Sequence, residues 1–206
     1  MAIHVLDHPL AGHLLARLRN KDTSPDQFRA LCRSLTTILV LEATRGMRTK
    51  TEWTETPLTK TLSTVLDDRL AVVPVLRAGL GMLETIVEMF PDVAVGYIGL
   101  ERDEATAEAR TYYSKLPCFD GRFTLCVDPM LATGGSASSA LTLLKDGGAT
   151  RIAMVSVVSA PEGVNRLHRD HPDVDVVTAS LDEGLNAKKY IVPGLGDFGD
   201  RLYGTF

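Results

Sequence analysis

From residue 70 onward, apolar runs of strand length alternate with amphipathic stretches. Leu70–Leu76, Val93–Leu100, Phe123–Val127, Ile152–Ser159 and Val174–Ala179 are continuous or nearly continuous apolar segments, which read as buried strands. Between them the spacing turns helical. Leu83, Ile86 and Val87 share the inward side of one helix. Leu141, Leu143 and Leu144 share that of another, which Gly147-Gly148 stops, and a short helix is expected near Val164–His168. Apolar strands joined by helical crossovers predict an α/β fold, a mostly parallel sheet with helices on both faces. Ligands of such sheets bind beyond the strands' carboxyl ends. Arg77, Arg102 and Asp128 each stand just past one.

The N-terminal part, about residues 8–45, has a helical pattern. Leu10, Leu14, Leu15 and Leu18 form one stripe, and Phe28, Leu31, Cys32, Leu35, Ile38 and Leu39 form a second, buried on the sheet or in a subunit interface. Ser24-Pro-Asp-Gln27 has the form of a capping box with proline in the first turn. Thr49–Thr64, rich in threonine and holding Pro57, reads as an irregular edge strand or hairpin. With 206 residues and no repeat or linker, the chain reads as one domain over 1–206.

Composition narrows the partners. A net charge of −4 with 6% aromatics leaves no basic footprint for nucleic acid. Leu70–Leu76 is too short to span a bilayer, and the first residues lack the charged and apolar regions of a signal peptide. Three cysteines, with no Cys-x-x-Cys, read as reduced thiols, so a cytoplasmic location is expected. None of the five histidines has metal-ligand spacing.

Candidate chemistry concentrates in four segments. In Phe123–Lys145 a strand, a Thr133-Gly-Gly-Ser136 turn and a helix follow one another, with Ser136 placed to cap the helix. A helix N-terminus approached by glycines suits a phosphate. Neither a Walker loop nor Gly-x-Gly-x-x-Gly is present. Asp128, five residues before Thr133, lets the same loop take a phosphate at one end and vicinal sugar hydroxyls at the other, the two features of a ribose 5-phosphate. A plain tight turn shares the glycines but does not need the acid. Arg77-Ala-Gly-Leu-Gly81 offers a guanidinium beside approachable amides, suited to a pyrophosphate. Glu101–Pro117 is a long polar stretch between strands, read as a mobile active-site hood. Tyr190–Gly204 carries four glycines and two aspartates, more than a frayed tail needs.

The segment Val127-Asp-Pro-Met-Leu-Ala-Thr-Gly-Gly-Ser136 resembles the phosphoribosyl-pyrophosphate (PRPP) loop of type I phosphoribosyltransferases. Pro129 in place of a second acid makes it similar to the uracil phosphoribosyltransferases, and the likeness covers nearly the whole chain, most tightly from Val73 on. That resemblance implies formation of UMP and diphosphate from uracil and PRPP in pyrimidine salvage, with Mg2+ carried by PRPP and no direct metal ligand. As catalytic residues it implies Asp128, Arg77 and Arg102. These three would bind PRPP together with Pro129, Met130, Leu131, Ala132, Thr133, Gly134, Gly135, Ser136 and Asp197. Uracil would be read at Ile191, Gly196, Asp197 and Phe198, in a base-binding loop over about 186–204. Phe198 stands where bacterial members more often have alanine, which predicts a bulkier pocket wall. The resemblance also implies a hood over about 101–117, a homo-oligomer (dimer or tetramer) and GTP as an activator. In many members the pyrophosphate loop holds a non-proline cis peptide. Glu108-Ala-Arg-Thr-Tyr-Tyr113 departs from the Pro-x-Pro expected before the tyrosines. The alternative on the same fold is a pyrimidine-responsive RNA-binding attenuation regulator, against which the net acidity and Pro129 argue.

Overall fold

The computed structural model describes residues 1–102 and 109–205. The chain opens with β1 (Ile3–Val5), then α1 (Pro9–Arg19) and α2 (Pro25–Ala43). A hairpin of β2 (Thr49–Glu55) and β3 (Lys60–Leu66) precedes the alternating part. There β4 (Arg69–Leu76), α3 (Leu80–Met89), β5 (Ala94–Val95), β6 (Tyr97–Arg102), β7 (Ala109–Lys115), β8 (Arg122–Val127) and β9 (Met130–Leu131) follow. After them come α4 (Gly135–Asp146), β10 (Ile152–Ser159), α5 (Pro161–Asp170) and β11 (Asp175–Leu181). The end holds β12 (Gly184–Leu185), β13 (Ile191–Val192) and α6 (Phe198–Tyr203).

The central sheet has the order β1-β11-β10-β8-β4-β6-β7. Its pairs are parallel except β6 with β7, which run antiparallel at one edge. The expected mostly parallel α/β sheet is therefore present. Along β4 the side chains alternate: Leu70 and Val72 join the core under α1, α2, α3 and α6, whereas Ala71, Val73 and Val75 join the core under α4 and α5. Because both faces are covered, such strands read as unbroken apolar runs rather than alternating ones. Phe28, Leu35 and Leu39 of α2 are wholly buried, each contributing about 1.5–3 kcal/mol of transfer free energy to its docking.

Several expectations need correction. The run Val93–Leu100 is not one strand but β5 and β6, broken at Gly96. A β-carbon there would come within 2.7 Å of Pro117 Cδ, so the strand bends around that ring. On α3 the buried residues are Met82, Thr85 and Ile86, while Val87 is exposed. Gly81 lies close against α6, where a β-carbon would come within 2.8 Å of Leu202 Cδ2. Leu10 is exposed, so the α1 stripe is Ala11, Leu14, Leu15 and Leu18. Ser24 precedes α2 but makes no cap bond to the backbone; its hydroxyl pairs with the Asp26 carboxylate at 2.5 Å, which satisfies it locally. Thr49–Leu66 is a regular antiparallel hairpin in full register from Thr49↔Leu66 to Glu55↔Lys60. Part of the expected hood, Ala109–Lys115, is the edge strand β7, while residues 103–108 of that hood lie outside the described residues.

Candidate active site

Strands β8, β4 and β6 are neighbours in the sheet, and the chain leaves their carboxyl ends at Asp128, Arg77 and Arg102. Parallel pairing brings these ends to one edge of the molecule. Residue Arg102 closes β6.

The PRPP-like loop is built by interrupting a strand. Both β8 and β9 pair with β10, and Asp128-Pro129 stands between them. Pro129 has no N–H to give the ladder, yet its carbonyl accepts from both Val157 and Val158 N–H at 3.0 Å. The Asp128 carboxylate accepts from the Met130 N–H at 3.2 Å, a local turn that fixes the side chain. It is half-buried, and burial pushes its carboxyl up to about 6, partly opposed by that one amide. A carboxylate in a recess with a single backbone donor has acceptor capacity left for hydroxyl groups.

Helix α4 starts two residues earlier than the cap reading placed it. Gly134, not Ser136, is the N-cap, left-handed at φ 75°, and α4 has no side-chain cap bond. Glycine is required here twice over. A side chain would meet the φ penalty, and its β-carbon would lie 2.9 Å from the Gly163 carbonyl oxygen. Ser136 is thereby carried into the first turn, beside Thr133 and Gly135. The uncapped first-turn amides remain available to an anion.

At the pyrophosphate-like loop the Leu76–Arg77 peptide is cis, a point that the sequence left open. The Arg77 carbonyl accepts from the Tyr203 hydroxyl at 3.1 Å, and its guanidinium lies 5.9 Å from that ring's centroid. Gly79 is tight against two carbonyls; a β-carbon would sit 2.5 Å from Val127 O and 2.7 Å from Val75 O. This loop is thus pressed directly onto the end of β8.

The C-terminal segment closes the site. Val192–Pro193 is cis, and Gly194 and Gly196 have φ of 58° and 83°. Asp197 caps α6, accepting from Asp200 N–H at 2.9 Å, and is exposed. Two arginines that the sequence reading did not single out hold the segment in place. Arg19 pairs with Asp182 through two bonds of 2.6 and 2.7 Å and also donates to Gly194 O at 2.7 Å. Arg201 is buried and donates to the carbonyls of Leu18, Leu195 (2.8 Å) and Asn20 (2.6 Å), with its guanidinium 4.6 Å over the Phe28 ring. Nothing in the spacing of either arginine marks it: Arg201 donates to main-chain carbonyls, and the carboxylate that Arg19 meets, Asp182, lies 163 positions away.

A cavity of about 320 Å³ lies between the two loops, lined by Met130 and Ala132 on one side and Ile191, Gly196, Asp197 and Phe198 on the other. Lys188, Lys189 and Tyr190 complete it, three residues that sequence reasoning included in the loop without assigning them a role. Asp128, Pro129, Thr133–Ser136 and Arg77 are not among its lining residues, and Leu131 points its side chain into the core. The bulky wall expected of Phe198 is corrected in part. Its ring is only 2% exposed, meets Phe28 edge-on at 5.0 Å, and so serves the core more than the cavity.

This sheet, with a phosphate-type loop after one strand and a second glycine loop after its neighbour, has the fold of the type I phosphoribosyltransferases. A phosphoribosyltransferase of Corynebacterium diphtheriae shares it, with a TM-score of 0.53 at 15% identity over 83% of this chain and 96% of that one. The family model for uracil phosphoribosyltransferase matches residues 5–205, and the chain belongs to that family. The uracil phosphoribosyltransferase of Dictyoglomus thermophilum is 49% identical over 98% of either chain. A solved protein of Aquifex aeolicus superposes with a TM-score of 0.92 at 37% identity, covering 98% of this chain and 97% of that one.

Proposed function

We propose that the chain joins uracil to PRPP, giving UMP and diphosphate. The C1′–oxygen bond to diphosphate breaks, the bond from C1′ to uracil N1 forms, and the N1 proton leaves. One observation carries the reading: the 320 Å³ cavity in which the strand-interrupting loop at Met130–Ala132 faces the loop at Ile191–Phe198. Two segments more than fifty residues apart in sequence, singled out for two different substrates, meet there.

In this arrangement Asp128 accepts from the ribose hydroxyls, and Thr133–Ser136 take the 5′-phosphate on the uncapped start of α4. Arg77 and Arg102 neutralise the departing diphosphate, and Asp197 faces the PRPP side of the pocket. Magnesium would enter as part of the substrate, carried on PRPP oxygens. Charge develops on the ribose as diphosphate leaves, so the site works by positioning two substrates and stabilising the leaving group. The protein was never required to supply a nucleophile for such a displacement.

Among the described residues no helix is long and apolar enough to cross a membrane. The test is chromatographic assay of UMP from uracil and magnesium-PRPP, run beside cytosine, hypoxanthine and adenine. UMP formed from uracil alone is the expected result; no nucleotide from uracil would sink the reading.

A further inference from the structure

The sequence reading placed no function on α5, yet one side chain of that helix reaches the phosphate loop. Were Gly135 to carry a side chain, its β-carbon would lie 3.3 Å from Nη1 of Arg166 and 3.7 Å from Thr133 Oγ1. The β-carbon of a residue at 134 would lie 3.2 Å from Arg166 Cβ. The two loop glycines therefore leave open the space in which this guanidinium ends. An ordinary i,i+4 ion pair does not explain the placement. Arg166 Nε meets Asp170 Oδ2 at 3.4 Å, a loose contact, and the Arg166 side chain stays 42% exposed.

The charge around it is unbalanced in a useful direction. Asp170 already accepts from Arg169 Nε at 2.8 Å and from the Ser138 hydroxyl at 3.0 Å. One carboxylate thus serves two guanidiniums, leaving a net positive charge beside an uncapped helix start. Asp170 is also tied through Ser138 to the first turns of α4, so the orientation of Arg166 is referred to the same helix whose N-terminus it faces.

We propose that Arg166 binds and positions the 5′-phosphate, closing over the Thr133–Ser136 cradle from the α5 side. The inference rests on the reading that this cradle holds a ribose 5′-phosphate. A guanidinium fork suits two phosphate oxygens at once, which the loop's single hydroxyls and amides do not. The 5′-phosphate keeps its charge from PRPP to UMP, so Arg166 binds ground state, transition state and product alike. Removing it therefore raises KM without lowering kcat.

Steady-state kinetics of Arg166→Ala and Arg166→Lys test this. Arg166→Ala is expected to raise KM for PRPP and Ki for UMP by a common factor of about tenfold, with kcat and KM for uracil near wild type. Arg166→Lys keeps the charge without the fork and is expected to fall between. The melting temperature of the ligand-free Ala variant is expected to lie close to wild type, since the side chain's one ion pair is a loose contact of 3.4 Å. Unchanged KM and Ki in Arg166→Ala, with wild type forming UMP normally, would overturn this inference alone. A parallel loss of melting temperature and kcat, not restored by lysine, would overturn it too, by making Arg166 a structural residue. Wild type forming no UMP would instead remove the reading on which it rests.

Discussion

In the proposed reaction Asp128 holds the ribose hydroxyls, and its environment sets its pH behaviour. Burial raises its carboxyl up to about 6, so the anion that accepts hydroxyl protons is lost as pH falls through 6. We expect kcat/KM for PRPP to fall about tenfold per pH unit below that point. Asp128→Asn keeps the shape but loses charge-assisted bonds of about 1.5–3 kcal/mol, a roughly ten- to hundredfold loss in kcat/KM. Its profile should lack the acidic limb attributed to Asp128. A limb of equal slope in both proteins would assign it to PRPP. Phe198 is the contrasting residue, chosen from sequence for the pocket and found mostly in the core. Phe198→Ala should cost about 3–5 kcal/mol of stability, seen as a large drop in melting temperature. Base preference should survive, because a main-chain group at 198 persists in the variant.

On the proposed function the C-terminal element would contact the base through its backbone, and those contacts would decide its selectivity. Uracil offers acceptor, donor, acceptor at O4, N3 and O2; cytosine reverses the first two. If Ile191–Phe198 supplies an N–H opposite O4 and a carbonyl opposite N3, cytosine would face donor with donor and acceptor with acceptor. Each buried mismatch costs about 1–3 kcal/mol, and such sites reject a wrong partner by up to roughly 10⁴-fold. Competitive turnover of the two bases measures this directly, and near-equal efficiencies would mean that the loop does not select. The element's existence was legible in its glycines and aspartates. Its rigidity was not, because Arg19 and Arg201 reach it from 175 positions away and from a neighbouring turn through bonds to main-chain oxygen. No side-chain pattern encodes an acceptor that every residue carries.

For the molecule as a whole, Asp68 is a tie between distant parts. It precedes β4 and binds Arg48, at the base of the hairpin, and Arg151, just before β10, at 2.6–2.7 Å. Its side chain is wholly buried, and these two guanidiniums with the Arg48 amide outweigh desolvation and hold its carboxyl well below the usual carboxylate range. A lowered pKa contributes stability above the unfolded value near 3.9 and loses it as pH falls further. Asp68→Asn is thus expected to cost about 1.5–3 kcal/mol at neutral pH and progressively less below pH 4, measured by urea unfolding across pH. Equal losses at pH 7 and pH 3 would show that charge is not the cause. The parallel sheet was legible because both of its faces are covered, which writes β4, β8 and β10 as apolar runs. Strands β1 and β7 were not: each lies at a sheet edge, where exposed polar positions hide the pairing. Two glycines, at 81 and 96, sit in tight local packing that periodicity alone does not show. The hairpin has one more consequence. Trp53, the sole tryptophan of the chain, stands on β2 and is 72% exposed, in a two-stranded sheet separate from the main one. Its emission reports the solvent around the hairpin and is nearly silent about the core, so melting followed by tryptophan fluorescence should register little where circular dichroism registers a cooperative loss.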